Sequence, residues 1–351
     1  MTVRKRASLL IAGFLAAAMS AGGDPSALLV SRSKLIVDDG SRPRDIRWCS
    51  ASEVCVALGR NGVIRTTASD ARSASVVMPA GARGGFPVSS RLAIGRDFLL
   101  VGSSMGPYGW MRLPPAAASI EQRSLLTLVD LDARGDAVAI LGAESGEVQG
   151  LARDGVIAWT GSLTSGPGGL RALMTGRAKP GGKDMARCGI LETGAIRFML
   201  DGSIVVVPGT EPGVYRYDAA GRLTQTWDTE SFGIVDDCNL DEILIRELAA
   251  DFARRSEWLA ARIVLEDVVP LRNAAGLIVR RVHDGLTRWD LLVLPFDEGT
   301  SKRLVLPLTH ESPQAHVRGD VRGNRLALLL YDAPLPGQPG TPGEIFVMGL
   351  P

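Results

Sequence analysis

Apolar and polar positions along this chain fall into short paired runs. Val129-Asp130-Leu131 passes through Asp132-Ala133-Arg134-Gly135-Asp136 into Ala137-Val138-Ala139-Ile140-Leu141. Phe198-Met199-Leu200 passes through Asp201-Gly202 into Ser203-Ile204-Val205-Val206-Val207. Val321 passes through Arg322-Gly323-Asn324 into Arg325-Leu326-Ala327-Leu328-Leu329-Leu330. Apolar runs of this length, joined by Gly, Asp and Asn, predict β-hairpins.

The hairpins recur through six units, at about 28–74, 75–118, 119–165, 170–228, 229–297 and 298–351. The third unit predicts strands at Leu125–Leu131, Ala137–Leu141, Glu147–Ala152 and Val156–Trp159. The fourth predicts Ile196–Leu200, Ser203–Val207, Gly213–Tyr217 and Arg222–Trp227. Four strands on short turns make one propeller blade, and radial repetition leaves only short edges exposed. The expectation is an all-β, six-bladed β-propeller, a single domain over residues 28–351. Leu28–Val30 or Leu35–Val37 is expected to close the ring against Glu344–Met348. One segment breaks the pattern. Leu244, Leu248, Phe252, Leu259 and Ile263 follow the helical period and predict a helical insertion over about 241–263, capped by Asn239 or Asp241.

Composition adds a compartment. Arg4, Lys5 and Arg6 precede an apolar run from Ala7 to Ala18, followed by the small residues Ser20 to Gly23. That order predicts a signal peptide over 1–23, and hence a periplasmic or secreted protein. The apolar run is shorter than the roughly 20 residues a spanning helix needs, so no membrane span is expected after cleavage. Removing those three cations from 39 basic residues leaves 36 against 38 acidic, a net charge of −2. Nucleic acid is excluded as a partner, because phosphate neutralisation needs an excess of Lys and Arg.

An even set of cysteines in an exported chain predicts disulfides: Cys49, Cys55, Cys188 and Cys238. Cys49 and Cys55 bracket a turn, and Cys188 with Cys238 would tie neighbouring repeats. Three pairings remain open on spacing alone.

The chain resembles the exported six-bladed β-propellers of bacteria, the group that includes NHL-repeat and TolB-like propellers. The likeness lies in Asp201-Gly202-Ser203-Ile204-Val205-Val206, in Tyr215-Arg216-Tyr217-Asp218-Ala219-Ala220-Gly221-Arg222-Leu223, and in Leu291-Leu292-Val293-Leu294. The resemblance implies an exported propeller that serves as a binding platform. It brings no catalytic residue.

Several motifs carry little chemistry. Gly102-Ser103-Ser104-Met105-Gly106 has hydrolase spacing, but Pro107-Tyr108-Gly109-Trp110 cannot open the helix a nucleophile elbow needs. Asp130, Asp132 and Asp136 suggest a calcium loop, yet Arg134 and Leu141 stand where oxygen ligands belong, so a turn is expected. Arg134-Gly135-Asp136 and Arg318-Gly319-Asp320 also read as turns. Asp236, Asp237, Asp241 and Glu242 read as a solvated cap, with a cation at the channel as the sharper reading. His283, His310 and His316 lack metal-ligand spacing. Arg177, Lys179 and Lys183 punctuate a Gly-rich loop of generic anion character.

No catalytic, cofactor or metal residue is therefore expected. The functional expectation is a monomeric, non-catalytic module that binds a protein or a small ligand, with no cofactor. Arg254, Arg255 and Trp258 on the helix are the candidate partner-binding residues. The rival is a metal-dependent, lactonase-like hydrolase with its site in the central channel.

Overall fold

The structure, a computed structural model, describes residues 28–35, 42–59, 62–78, 90–103, 108–113, 121–123, 125–144, 157–162, 170–175, 194–208, 213–235, 244, 247–248, 250–332 and 342–350. The described residues form six sheets. β1 (Leu28–Lys34) stands apart from the strands that follow it. The first blade is β2 (Asp45–Trp48), β3 (Glu53–Ala57), β4 (Val63–Thr67) and β5 (Asp70–Met78). The second is β6 (Arg91–Ile94), β7 (Phe98–Gly102), β8 (Tyr108–Arg112) and β9 (Glu121–Arg123). The third is β10 (Leu125–Arg134), β11 (Ala137–Glu144), β12 (Ile157–Ser162) and β13 (Leu170–Thr175). The fourth is β14 (Ala195–Phe198), β15 (Ile204–Val207), β16 (Val214–Tyr217) and β17 (Leu223–Trp227). The fifth adds the short β18 (Ile234–Val235), parallel to β19 (Ile263–Leu271), ahead of β20 (Ala274–His283), β21 (Leu286–Pro295) and β22 (Lys302–His310). The sixth is β23 (Ala315–Arg322), β24 (Arg325–Asp332) and β25 (Glu344–Gly349), and β1 completes it by pairing antiparallel with β25.

The core lies between blades. Val138 and Ile140 of β11 pack with the second blade, while Ala139 and Leu141 pack with the fourth. Successive side chains of a strand face opposite ways, so a blade sandwiched on both sides needs apolar residues at every position. That explains the unbroken runs in the sequence. Similar clusters fill every other gap, including the gap between the sixth and first blades, where Leu329 and Ile345 meet Ile46 and Val56. The apolar packing therefore runs once around the ring, which is a six-bladed β-propeller.

Several boundaries differ from expectation. In the third blade Trp159 pairs with Ile140, so Ile157–Ser162 is the third strand and Leu170–Thr175 the fourth. An apolar run after a Gly turn has the same pattern in either place, and Glu147–Ala152 lies outside the described residues. Lys302–His310 belongs to the fifth blade, not to the last unit. The helix α1 (Phe252–Ala260) is capped by Asp251, whose carboxylate accepts the Arg254 N–H at 3.1 Å; Leu244, Glu247, Leu248 and Ala250 ahead of it are also helical, and 236–243 lie outside the described residues. The Ala261 N–H turns back to Trp258, and Ile263 then pairs with Ile234 in a sheet. The β-branched Ile263-Val264 favours a strand, although Ile263 keeps helical spacing from Leu259.

Candidate ligand site at the propeller axis

Each innermost strand carries a charged residue at one matching position of its apolar run. In blade order these are Asp45, Arg91, Asp130, Arg197, Asp267 and Arg318, so the sign alternates around the ring. All are buried. Buried charge is tolerated only when paired and hydrogen-bonded, and the alternation supplies both. Arg197 pairs with Asp130 and, at 2.6 Å, with Asp267. Arg91 Nε lies 3.7 Å from Asp130 Oδ1 and donates to the Val129 carbonyl at 3.0 Å. Arg318 donates to the Glu266 carbonyl.

The acids also stitch blades together through the backbone. Asp45 accepts the Leu92 N–H at 2.8 Å, Asp130 the Ile196 N–H at 2.9 Å, and Asp267 the Gly319 N–H at 3.0 Å. Each reaches forward to the next blade, where no β-ladder exists. Burial pushes the Asp267 carboxyl up, but Arg197, Arg47 and Arg318 outweigh it and hold the carboxyl below the usual range. Burial likewise opposes the charge of Arg197, and Asp130, Asp267, Asp132 and Asp45 overcome it, keeping the guanidinium protonated.

Two residues further along the strands, on the same face, lie Arg47, Asp132 and Asp320. Here the pattern is incomplete, since Ala93, Met199 and Val269 occupy the matching positions of the other blades. The gap is a cavity of about 210 Å³ lined by these three residues. Its walls are Trp48, Ile94, Phe198, Met199, Leu200 and Pro270, and Arg134 forms part of the rim. Asp132 accepts the Phe198 N–H at 2.8 Å. Asp320 accepts the N–H groups of Trp48 at 2.8 Å and Val321 at 2.9 Å. Arg47 donates to Asp45 at 2.8 Å, while its Nε and Nη2 make no hydrogen bond among the described residues. Burial raises the Asp132 carboxyl against the opposing pull of Arg197 and Arg47. Burial pushes Asp320 up to about 6; Arg47 and the Trp48 N–H oppose this, and Asp132 adds to it. Arg134 is exposed and donates to the Met199 carbonyl and, at 2.8 Å, to that of Leu200.

At the other end of the inner strands, buried Glu266 forms an ion pair with Arg280 at 3.1 Å and a hydrogen bond with His316 Nδ1 at 3.0 Å. His316 stacks on Tyr331 with ring centres 5.5 Å apart. Burial raises the Glu266 carboxyl, and Arg280 and His316 more than reverse it.

The residues singled out from sequence lie elsewhere. Cys49 and Cys55 are joined across the β2–β3 hairpin, with Cα atoms 5.7 Å apart; Cys188 and Cys238 lie outside the described residues. Arg254 is exposed and bound to Glu247 at 2.6 Å, and half-buried Trp258 carries the Arg262 guanidinium 5.5 Å above its ring. Ser256 accepts from Gln314 at 2.9 Å, so the helix touches the start of the sixth blade. His283 pairs with exposed Asp284, and His310 accepts the Ser312 N–H. Asp236, Asp237, Asp241, Glu242, Arg177, Lys179 and Lys183 lie outside the described residues, as does most of the Gly-x-Ser-x-Gly segment.

Two expectations are corrected. Arg318-Gly319-Asp320 is not a turn but the middle of an inner strand. A Cβ at Gly319 would meet Ile278 and Leu328 atoms at 2.8 Å, so the glycine is there for close packing. Asp132, expected in the turn, likewise belongs to the strand β10, alongside Asp130, which was expected there. Gly135, at φ +60°, and Asp136 make the turn. The missed signal was a charge recurring inside the first apolar run of successive hairpins.

No protein-family model and no curated protein matches the chain. Among solved structures it is similar to a calcium-binding protein, regucalcin, from Agrobacterium tumefaciens, at 12% identity and TM-score 0.48, covering 92% of this chain and 94% of that one. The WD40 β-propeller domain of Doa1 is 9% identical, with TM-score 0.44 and coverage of 92% and 96%. A virginiamycin B lyase from Staphylococcus aureus is 9% identical, with TM-score 0.45 and coverage of 92% and 99%.

Proposed function

We propose that this chain is an exported, non-catalytic binding module and that its ligand enters the axial cavity. The observation that carries this reading is the meeting of Arg47, Asp132 and Asp320 beneath apolar walls. A pocket with a few convergent polar groups in an apolar lining is the usual form of a small-molecule site. Its volume of about 210 Å³ lies below the roughly 300–1,000 Å³ of drug-sized pockets, so the ligand is small.

The hydrolase reading fits the axis less well. A divalent cation there would need several carboxylate oxygens free of competing cations. Here guanidinium groups of Arg47 and Arg197 already pair with Asp45, Asp130 and Asp267.

The test is a fragment screen by ligand-observed NMR on the full chain, repeated on Leu200→Trp. Leu200 is an exposed rim residue, and the larger ring closes the mouth. Hits lost in the variant support the reading; hits that survive it, or none at all, refute it. Export is tested by fractionating cells that produce the full chain. A periplasmic protein shortened near residue 23 is expected, and retention in the cytoplasm overturns export.

A further inference from the structure

We infer that the axial cavity takes a small amino acid, a zwitterion whose ammonium sits on Asp132 and Asp320 and whose carboxylate faces Arg47 and Arg134. This rests on the binding reading above and names its ligand class.

The argument begins with charge. The ring of Asp45, Arg91, Asp130, Arg197, Asp267 and Arg318 cancels within itself. The groups that line the cavity are two carboxyls, Asp132 and Asp320, and two guanidiniums, Arg47 and Arg134. A neutral dipolar ligand leaves that balance intact, whereas a plain anion or cation upsets it.

Hydrogen-bond capacity points the same way. Asp132 and Asp320 accept backbone N–H groups, but each carboxylate oxygen has two lone pairs, so acceptor capacity remains. An ammonium offers three donors and matches two neighbouring carboxylates. Arg47 is 3% exposed, yet its Nε and Nη2 make no hydrogen bond among the described residues. A buried donor left unmade is costly, and a ligand carboxylate would draw on this cation. Arg134 stands at the rim, held by the Met199 and Leu200 carbonyls, so a second guanidinium is already oriented towards the mouth.

The walls decide the body of the ligand. Ile94, Phe198, Met199, Leu200 and Pro270 offer apolar surface, which suits a short aliphatic side chain and not a sugar or a phosphate.

The test is calorimetric titration of the full chain with L-norvaline, n-butylamine and butyrate. Norvaline carries both charges and each of the others only one. Norvaline is expected to bind at least about tenfold more tightly than either, because a site built for a polar group rejects the analogue that lacks it. Asp132→Asn should weaken norvaline and butylamine by about tenfold or more and leave butyrate unchanged. Arg134→Gln, at an exposed position, should weaken norvaline and butyrate and spare butylamine. Asp320→Asn gives the same readout as Asp132→Asn should that variant fail to fold.

Equal binding of all three probes, tighter binding of either single-charge probe, or variants without effect overturn the inference. Calcium bound in place of norvaline overturns it and restores the hydrolase reading. If no probe binds while fragments sensitive to Leu200→Trp do, the ligand class is wrong and the binding reading stands. If neither binds, both fall.

Discussion

Asp320 Oδ2 accepts the backbone N–H of Trp48 at 2.8 Å, and the Asp320 carbonyl accepts the Trp48 indole N–H at 3.1 Å. These bonds join the innermost strand of the last blade to that of the first. Sheet hydrogen bonds cannot do this, because neighbouring blades share no ladder. Asp45, Asp130 and Asp267 make the equivalent forward bond to the second, fourth and sixth blades. Asp320 differs in also facing the cavity. One carboxyl thus serves ring closure and the charge of the site.

Burial raises the Asp320 carboxyl along with those of Asp45 and Asp132. The folded pKa of Asp320 is raised from 3.8 to about 6 by burial, with Asp132 adding and Arg47, the Trp48 N–H and Arg197 opposing. A raised acid binds its proton more tightly in the folded state. Its stabilising contribution is complete below about pH 3.8 and is lost as pH rises through about 6. Asp320→Asn stays neutral and escapes that loss. Its stability relative to the parent should therefore rise by on the order of 1–2 kcal/mol between about pH 4 and pH 7.5, discounted for the partial exposure of the carboxyl. Urea unfolding at both pH values measures it, and a constant difference would show that Asp320 does not titrate.

Arg197 is the central cation of the alternating ring, between Asp130 and Asp267. Replacing it with Met leaves two buried carboxylates without their shared partner. Breaking a buried pair in this way costs about 3–5 kcal/mol. Adding Asp130→Asn removes one of the stranded charges, so the double variant should be less unstable than the two single losses combined. Denaturant midpoints for the three proteins check this. Simple additivity would mean that the two groups do not interact.

The blade pattern was legible because each strand is buried on both faces and so reads as an apolar run ending in a Gly or Asp turn. Ile204–Val207 and its partners, and the β1–β25 closure, follow from that alone. The site was not legible for the same reason. Arg318 and Asp320 flank Gly319 and Asp132 lies three residues before Gly135, the composition of turns, and only the ring brings them together. Asp132 and Asp320 are 188 residues apart in the chain, and nothing in local spacing pairs an acid of the third blade with one of the sixth. The helix was legible in its period but not in its end, because Ile263 satisfies both helical spacing and strand propensity.

The Cys49–Cys55 bond closes a short loop, with a sequence separation of 6, at the turn beside Trp48. In the chain-entropy account a loop of that size contributes about 2 kcal/mol. Replacing both cysteines with Ala should lower unfolding stability by about that amount without opening the ring, since Cys55 is one member of a larger apolar cluster. Thiol labelling of the denatured, unreduced chain should find neither cysteine. Labelling of both, or an unchanged unfolding curve in the double variant, would refute a structural bridge.

The last prediction concerns closure. β1 pairs with β25 from Leu28↔Gly349 to Lys34↔Glu344, and Arg32 grips Glu344 at 2.8 Å on the surface. The ion pair is exposed and worth at most about 1 kcal/mol, so Arg32→Ala should change little. The ladder is another matter. Removing residues 28–34 bares the whole β25 edge from Glu344 to Gly349, and a free apolar edge is a template for pairing with another chain. The shortened protein should unfold at lower temperature and associate as its concentration rises, read by light scattering after size exclusion. A shortened chain that stays monomeric and keeps the parent melting temperature would mean that the apolar packing of Leu329 and Ile345 on Ile46 and Val56 holds the ring shut without its terminal strand.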